Sequence, residues 1–150
     1  MESIKVNDKW FKPYLSEKTI LERVKAVADR MNEELKDKNP IFLAVLNGAY
    51  IFAADLTRFI NFPMEISFVK LASYQGTMST GKVREIFGIN ENLEGRTVVV
   101  VEDIVDTGRS MKQMLESLGT RNPAEIKICT LLFKPGKLEE DIKIEYCAME

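Results

Sequence analysis

The pattern of hydrophobic and polar positions predicts alternating helices and strands in the first half of the chain. Apolar residues recur at helical spacing over 20–35, and Ser16 stands where an N-cap belongs. The continuous apolar run 41–46 is typical of a strand that is buried on both faces. Residues 50–60 then predict a second helix.

The same alternation continues to the end of the sequence. Because strands alternate with helices, we predict one α/β domain over residues 1–150, with a mostly parallel central sheet flanked by helices. The segment 73–82 contains two glycines and lacks apolar periodicity, so it is predicted to be a flexible loop that covers a site. The other predicted elements are strands over 64–71, 97–101, 125–133 and 142–149, a returning strand over 83–87, and a helix over 110–118 that Gly119 ends.

Three polar turns follow predicted strand ends, at 47–49, 102–110 and 134–137. Ligands of parallel sheets bind beyond the carboxyl ends of the strands. We therefore expect the three turns to gather along one edge of the sheet and to form a site there. The tract 134–143 contains both acidic and basic residues. Apart from the turn at 134–137, it is predicted to be a solvated connection.

Composition and charge narrow the possible functions. The chain has 150 residues, a net charge of −2 and a pI of about 5.4, so nothing indicates a nucleic-acid or membrane surface. There is no run near the roughly 20 apolar residues of a membrane helix and no signal-peptide core, which predicts a cytoplasmic protein. Histidine is absent, which excludes histidine-based triads, zinc sites and phosphotransfer. Cys129 and Cys147 lie in apolar runs and are predicted to be buried free thiols.

The stretch 98–111 carries the strongest candidate chemistry. Four valines run into the adjacent acids Glu102 and Asp103, Asp106 follows, and a turn of small residues comes next, at 107–110. At a helix N-terminus such a turn offers backbone N–H groups and hydroxyls to a phosphate. The first two acids can accept hydrogen bonds from sugar hydroxyls or face Mg²⁺, which leaves Asp106 for proton transfer. The stretch therefore predicts a site for a sugar phosphate.

Four segments together resemble a known family. The run 102–110, Glu-Asp-Ile-Val-Asp-Thr-Gly-Arg-Ser, resembles the phosphoribosyl-pyrophosphate motif of type I phosphoribosyltransferases, and most closely that of the hypoxanthine (hypoxanthine-guanine) phosphoribosyltransferases. Leu-Asn-Gly-Ala at 46–49 is similar to the pyrophosphate loop of that family, and Ser73-Tyr74 to the start of its flap. Leu-Leu-Phe-Lys at 131–134 is similar to the strand that presents a purine-reading lysine. The matches follow the family order over about residues 10–148.

The resemblance implies a purine salvage transferase that uses Mg²⁺. Such an enzyme moves the 5-phosphoribosyl group of phosphoribosyl pyrophosphate to N9 of hypoxanthine or guanine, and gives IMP or GMP and pyrophosphate. Asp106 would exchange a proton with purine N7 and so is the implied catalytic residue. The other implied roles are 5′-phosphate binding by Asp106, Thr107, Gly108, Arg109 and Ser110; ribose and Mg²⁺ contacts from Glu102 and Asp103; pyrophosphate contacts from Asn47 and Gly48; a flap that begins at Ser73 and Tyr74; and recognition of the purine 6-oxygen by Lys134.

Two further expectations follow from the resemblance. It implies a cis peptide bond between Leu46 and Asn47, and a homodimer or homotetramer. Family members usually continue past the position of Glu150 with a purine-stacking aromatic residue, a second Mg²⁺ ligand and an arginine near pyrophosphate. We therefore expect this chain to hold the phosphoribosyl half of the site and to lack much of the purine half. Binding of phosphoribosyl pyrophosphate is a firmer expectation than turnover.

Two alternatives from other classes fit the sequence less well. A non-catalytic regulator of the same fold would sense phosphoribosyl pyrophosphate or nucleotides while binding nucleic acid, but the acidic pI argues against it. A receiver-type signalling domain would have an acidic pair at a strand end and a later Lys-Pro, as at 102–103 and 134–135. Its acidic pair should lie near the start of the domain, which does not fit this spacing.

Overall fold

A computed structural model describes residues 3–11, 14–73 and 84–150 of the chain. A short antiparallel hairpin opens the structure, and three helices and six strands follow within the described residues. The elements in chain order are β1 (Ile4–Val6), β2 (Lys9–Phe11), α1 (Glu17–Glu34), β3 (Ile41–Val45), α2 (Tyr50–Arg58), β4 (Glu65–Ser73), β5 (Arg84–Phe87), β6 (Thr97–Val105), α3 (Arg109–Gly119), β7 (Glu125–Phe133) and β8 (Tyr146–Met149), with a 3-10 turn at Pro135–Lys137.

The central sheet has six strands in the order β5-β4-β3-β6-β7-β8. All neighbours are parallel except β4 and β5, which pair antiparallel. The prediction of a mostly parallel α/β sheet is confirmed, and so is the returning strand β5. From β3 the chain crosses to β4 on one side, and from β6 it crosses to β7 on the other. The strand order therefore reverses between β3 and β6, where a ligand crevice is expected beyond the carboxyl ends.

Helices cover both faces of the sheet and divide the core in two. The buried faces of α1 and α2 pack with Val99 and Val101 of β6 on one side, while α3 packs with Val98 and Val100 on the other. This alternation follows from the pleat, because successive side chains of a strand point to opposite faces. All five residues of β3 are buried, as the continuous apolar run predicts for a strand with helices on both sides.

Local signals place α1 as predicted and α3 to within one residue at each end, although Gly119 is the last helical residue of α3 and Thr120 is its C-cap. The Ser16 side chain caps α1 by accepting a hydrogen bond of 3.1 Å from the amide of Thr19. Gly108 precedes α3 with a φ of 86°, a left-handed conformation that favours glycine. Both cysteines are free thiols, although only Cys129 is fully buried. Among the described residues, no helix has the length and apolar character needed to cross a membrane.

Some boundaries differ from the sequence prediction. β6 continues to Val105, so Glu102 and Asp103 lie within the strand and not in a loop after it. The reason is pairing, since Ile104 and Val105 lie opposite Leu132 and Phe133 of β7. The hairpin of β1 and β2 was not predicted, because two three-residue strands leave almost no periodicity to detect. The predicted last strand begins only at Tyr146, and α2 ends at Arg58.

Candidate active site

The turn after β3 lies at the point where the strand order reverses. Leu46 is joined to Asn47 by a cis peptide bond, as the resemblance implies. The amide of Leu46 donates to Val69 of β4 at 2.8 Å, and the amide of Ala49 donates back to Val45 at 3.1 Å. The turn is thus fixed at both ends to the sheet, while Asn47 and Gly48 themselves are exposed.

Gly48 faces the carboxylate of Asp103. A Cβ atom added to Gly48 would lie 2.6 Å from Oδ2 of Asp103, which is closer than real Cβ contacts allow. Only glycine fits this position without displacing the acid. The turn after β3 and the acidic pair of β6, far apart in sequence, therefore form one continuous surface.

The acidic pair Glu102 and Asp103 bonds to its own strand. Oε1 of Glu102 accepts a hydrogen bond of 2.9 Å from the amide of Asp103, and Oδ1 of Asp103 accepts one of 2.8 Å from the amide of Ile104. Burial raises the pKa of Glu102 to about 8, and the neighbouring Asp103 side chain adds to the increase. None of the ion pairs within the described residues reaches either acid. This end of β6 therefore favours a bound proton or cation.

The turn from Asp106 to the start of α3 forms a pocket of about 140 Å³. The first amides of a helix have no partner within the helix and carry its partial positive charge, which suits an anion. The amide of Arg109 donates to Oγ1 of Thr107 at 3.3 Å, and Ser110 lies exposed on the first turn of α3. The pocket is lined by Glu102, Ile104, Val105, Asp106, Thr107, Gly108, Arg109, Ser110 and Met111.

Asp106 differs from Glu102 and Asp103, which accept hydrogen bonds from amides of their own strand. Its Oδ1 is buried and has no hydrogen-bond partner among the described residues. Buried polar atoms are nearly always satisfied, so such an atom requires an explanation. Because Asp106 lines the pocket, a ligand that donates a hydrogen bond would supply the missing partner.

Residues 138–142 pack against this turn from outside and were not predicted to do so. The carboxylate of Glu139 holds the guanidinium of Arg109 through contacts of 2.6 and 2.8 Å, which raises the pKa of Arg109. The amide of Glu139 also donates to the carbonyl of Thr107 at 2.8 Å. The prediction of a merely solvated connection is therefore wrong for this part of the tract. The sequence did contain a signal for this contact. Glu139 and Glu140 are adjacent acids, and Arg109 and Lys112 are spaced to lie on one face of α3.

Lys134 begins the turn after β7. Its amide donates to the carbonyl of Val105 at 3.1 Å, which ties this turn to the end of β6. The Lys134 side chain is exposed. All three predicted turns therefore follow neighbouring strand ends at one edge of the sheet. Ser73 is the last residue of β4 and pairs with Arg84, whereas Tyr74 lies outside the described residues.

Comparisons with known proteins agree with this geometry. Residues 12–148 match the family described as "Phosphoribosyl transferase domain". Over 129 residues the chain is 43% identical to the hypoxanthine-guanine-xanthine phosphoribosyltransferase of Tritrichomonas foetus, an alignment that covers 85% of this chain and 70% of the relative. It is 39% identical over 138 residues to the hypoxanthine phosphoribosyltransferase of Buchnera aphidicola subsp. Schizaphis graminum, covering 90% of this chain and 78% of the relative.

A similar solved structure is a hypoxanthine-guanine phosphoribosyltransferase from Bacillus anthracis. It superimposes with a TM-score of 0.83 at 30% sequence identity, and the match covers 93% of this chain and 83% of that one. The similarity thus extends over most of both chains.

Proposed function

The chain belongs to the phosphoribosyltransferase family, with the hypoxanthine-guanine phosphoribosyltransferases as its relatives, and we propose that it is a transferase of purine salvage. It transfers the 5-phosphoribosyl group from phosphoribosyl pyrophosphate to N9 of hypoxanthine or guanine and releases pyrophosphate. The observation that carries the proposal is the approach of Gly48 to the Asp103 carboxylate. Phosphoribosyl transfer needs adjoining sites for ribose and for the leaving pyrophosphate, and this contact joins them.

The phosphate turn would hold the 5′-phosphate of the substrate. Asp106, Thr107, Gly108, Arg109 and Ser110 supply backbone N–H groups at the start of α3, and the threonine and serine add hydroxyls. The pocket continues along β6 to Glu102. The ribose hydroxyls of a substrate anchored in the turn would therefore donate to Glu102 and Asp103.

The acidic pair fits Mg²⁺ only together with the substrate. No group of three or more metal-ligating side chains occurs in the part of the chain that the structure describes. Mg²⁺ is usually bound by one or two carboxylates plus substrate oxygens and water, so Glu102 and Asp103 are a sufficient protein contribution. Glu102 is largely buried and has no cation partner among the described residues, so a bound cation beside it would stabilise its ionised form. When bound there, Mg²⁺ would offset the negative charge of the departing pyrophosphate.

Asp106 is proposed as the catalytic residue. Its Oδ1 is buried in the pocket without a partner in the described ranges, so it can accept the proton from purine N7 as N9 bonds to C1′ of the ribose. Pyrophosphate departs toward Asn47 and Gly48. Because pyrophosphate is already a good leaving group, most of the catalytic effect comes from positioning and charge neutralisation.

Lys134 is proposed to select the purine. Its backbone is fixed to Val105 at the end of the strand that carries the site. An ammonium group there would donate to the 6-oxygen of hypoxanthine or guanine. Adenine would place an amino group, itself a donor, opposite the ammonium, and the mismatch disfavours binding.

The flap, the assembly and the location extend the same proposal. Ser73 and Tyr74 would begin a flap that excludes water from the oxocarbenium-like centre during transfer. A homodimer or homotetramer and a cytoplasmic location stay predictions. The regulator and receiver alternatives are not favoured by any described residue.

A panel of purines tests the proposal. The protein is incubated with phosphoribosyl pyrophosphate, Mg²⁺ and, in turn, hypoxanthine, guanine, xanthine or adenine, and nucleotide and pyrophosphate are measured. We expect nucleotide from at least one 6-oxopurine and none from adenine. Reactions without purine control for hydrolysis of the substrate. If no purine yields nucleotide and the protein also fails to bind phosphoribosyl pyrophosphate, the proposed function is wrong.

A further inference from the structure

Residues 138–142 fasten the phosphate turn from outside at three points. The amide of Glu139 donates to the carbonyl of Thr107 at 2.8 Å, and both carboxylate oxygens of Glu139 accept from Nη2 of Arg109, at 2.6 and 2.8 Å. The third point is apolar, since Cδ1 of Leu138 would lie only 2.8 Å from a Cβ added to Gly108. One short segment thus contacts three consecutive residues of the turn.

The turn needs such support because it has little of its own. Gly108 has a left-handed φ of 86° and no side chain, so it can move through conformations closed to other residues. Phosphate binding by backbone amides depends on the direction in which those N–H groups point. Glu139 holds the residue on each side of this glycine, which limits its freedom at the place where direction matters.

We propose that Glu139 is a positioning residue for the 5′-phosphate: by clasping Arg109 and Thr107, it keeps the amides of the phosphate turn aimed into the pocket. The inference rests on the proposed function, because it assumes that the pocket takes a phosphate. Glu139 itself does not line the pocket. Its effect would pass through the turn.

Whether phosphate binding becomes weaker or tighter when Glu139 is removed distinguishes a positioning role from a purely electrostatic one. A carboxylate near an anion site repels the anion, so removing it should tighten phosphate binding if charge alone matters. If Glu139 positions the turn, removing it should weaken binding despite the loss of repulsion. Since Arg109 is largely exposed and Glu139 about half exposed, high salt weakens both the repulsion and the ion pair, so the sign of the change at low salt is the decisive observation.

Direct binding of ribose 5-phosphate provides the test and needs no purine. Its Kd is measured by titration calorimetry for the wild type and Glu139→Ala at low and high salt. We expect the variant to bind about two- to fivefold more weakly at low salt, and by a smaller factor at high salt. Glu139→Gln, which can still accept a hydrogen bond from Arg109, should recover part of the loss. Glu140→Ala removes the same charge one residue away, where it pairs with Lys112 at 3.0 Å, and should bind as the wild type does.

A double variant tests whether the effect passes through Arg109. Arg109→Ala should weaken binding to a similar degree, and adding Glu139→Ala to it should cause little further loss. Unchanged or tighter binding by Glu139→Ala, or full additivity with Arg109→Ala, would overturn the inference alone. A wild-type protein that binds no ribose 5-phosphate would overturn the proposed function and the inference with it.

Discussion

The two ends of the parallel sheet differ in how the acidic residues of their strands are paired. At the amino end, the Glu125 carboxylate accepts from Lys38 at 3.0 Å and from Thr97 at 2.9 Å, and Glu65 pairs with Arg96 at 2.8 Å. At the carboxyl end, the acids of β6 have no cation partner in the described ranges. The acids at the amino end help to hold the fold together, whereas Glu102 lines the pocket, where a bound ligand could pair with it.

The pKa values express the same contrast. The hydrogen bond from Lys38 and that from Thr97 lower the pKa of Glu125 below its ordinary value. Burial raises the pKa of Glu102 to about 8. One acid is stabilised as an anion by its neighbours, whereas the other is disfavoured as an anion until a cation or a hydrogen-bond donor arrives.

The largest expected effect is at the carboxyl end, where Asp106→Asn removes the proposed proton acceptor. The rate of nucleotide formation at saturating substrate should fall by about 100-fold or more, a typical contribution of acid–base catalysis. The Kd for ribose 5-phosphate should change only a few-fold, because the backbone amides of the turn remain. Asp141→Asn, the same substitution at an exposed position, serves as the control. Near-full turnover by Asp106→Asn would refute the catalytic assignment.

A smaller loss of activity is expected when the contact between Gly48 and Asp103 is disturbed. In Gly48→Ala the new methyl group would meet the Asp103 carboxylate at 2.6 Å, so either the loop or the acid must move. We expect kcat/KM for phosphoribosyl pyrophosphate to fall about tenfold, in line with the effect of small misplacements in active sites. Gly119→Ala is the matched control, because nothing lies within 4 Å of its added Cβ. Equal activity of the two variants would show that the contact has no functional weight.

The smallest expected effects are changes in thermal stability when an acid at either end of the sheet is neutralised. Burial disfavours the ionised form of Glu102, with its pKa of about 8, whereas the unfolded chain ionises this group freely. Glu102→Gln cannot ionise and keeps an oxygen to accept from the Asp103 amide, so the melting temperature of the ligand-free protein should rise. Glu125→Gln removes a charge that Lys38 stabilises and should shift it downward. Each shift should be about 2–4 °C or less. If both substitutions shifted the melting temperature in the same direction, the proposed difference between the two ends of the sheet would be wrong.

The contribution of Glu125 should also depend on pH in a defined direction. Its pKa is lowered on folding, so its stabilising effect is present above its unfolded pKa and is lost as the pH falls through the folded value. The difference in melting temperature between the wild type and Glu125→Gln should therefore shrink in acid. A difference that grew as the pH fell would contradict the Lys38 ion pair.

Local sequence patterns predicted much of the fold and part of the site. The apolar runs indicated the sheet strands, and the acids and small residues at 102–110 indicated a sugar phosphate by their chemistry alone. What these patterns missed depends on tertiary contact. Arg109 and Glu139 lie 30 positions apart and meet only because β7 returns beside β6. The extension of β6 to Val105 was hidden for the same reason, since its pairing partner lies in another strand.

The adjacency of β3 and β6 has a consequence for how the protein acquires its function during folding. Ile41 pairs with Val98, so the register that brings Gly48 to Asp103 depends on closing a very long loop. Such non-local pairing is slow, because the entropy of closure is lost before the contact forms. The pairing of β6 with β7 closes a shorter loop, from Thr97 to Glu125, but does not by itself form the crevice. Ligand binding during refolding would therefore be detected only after β3 has paired with β6.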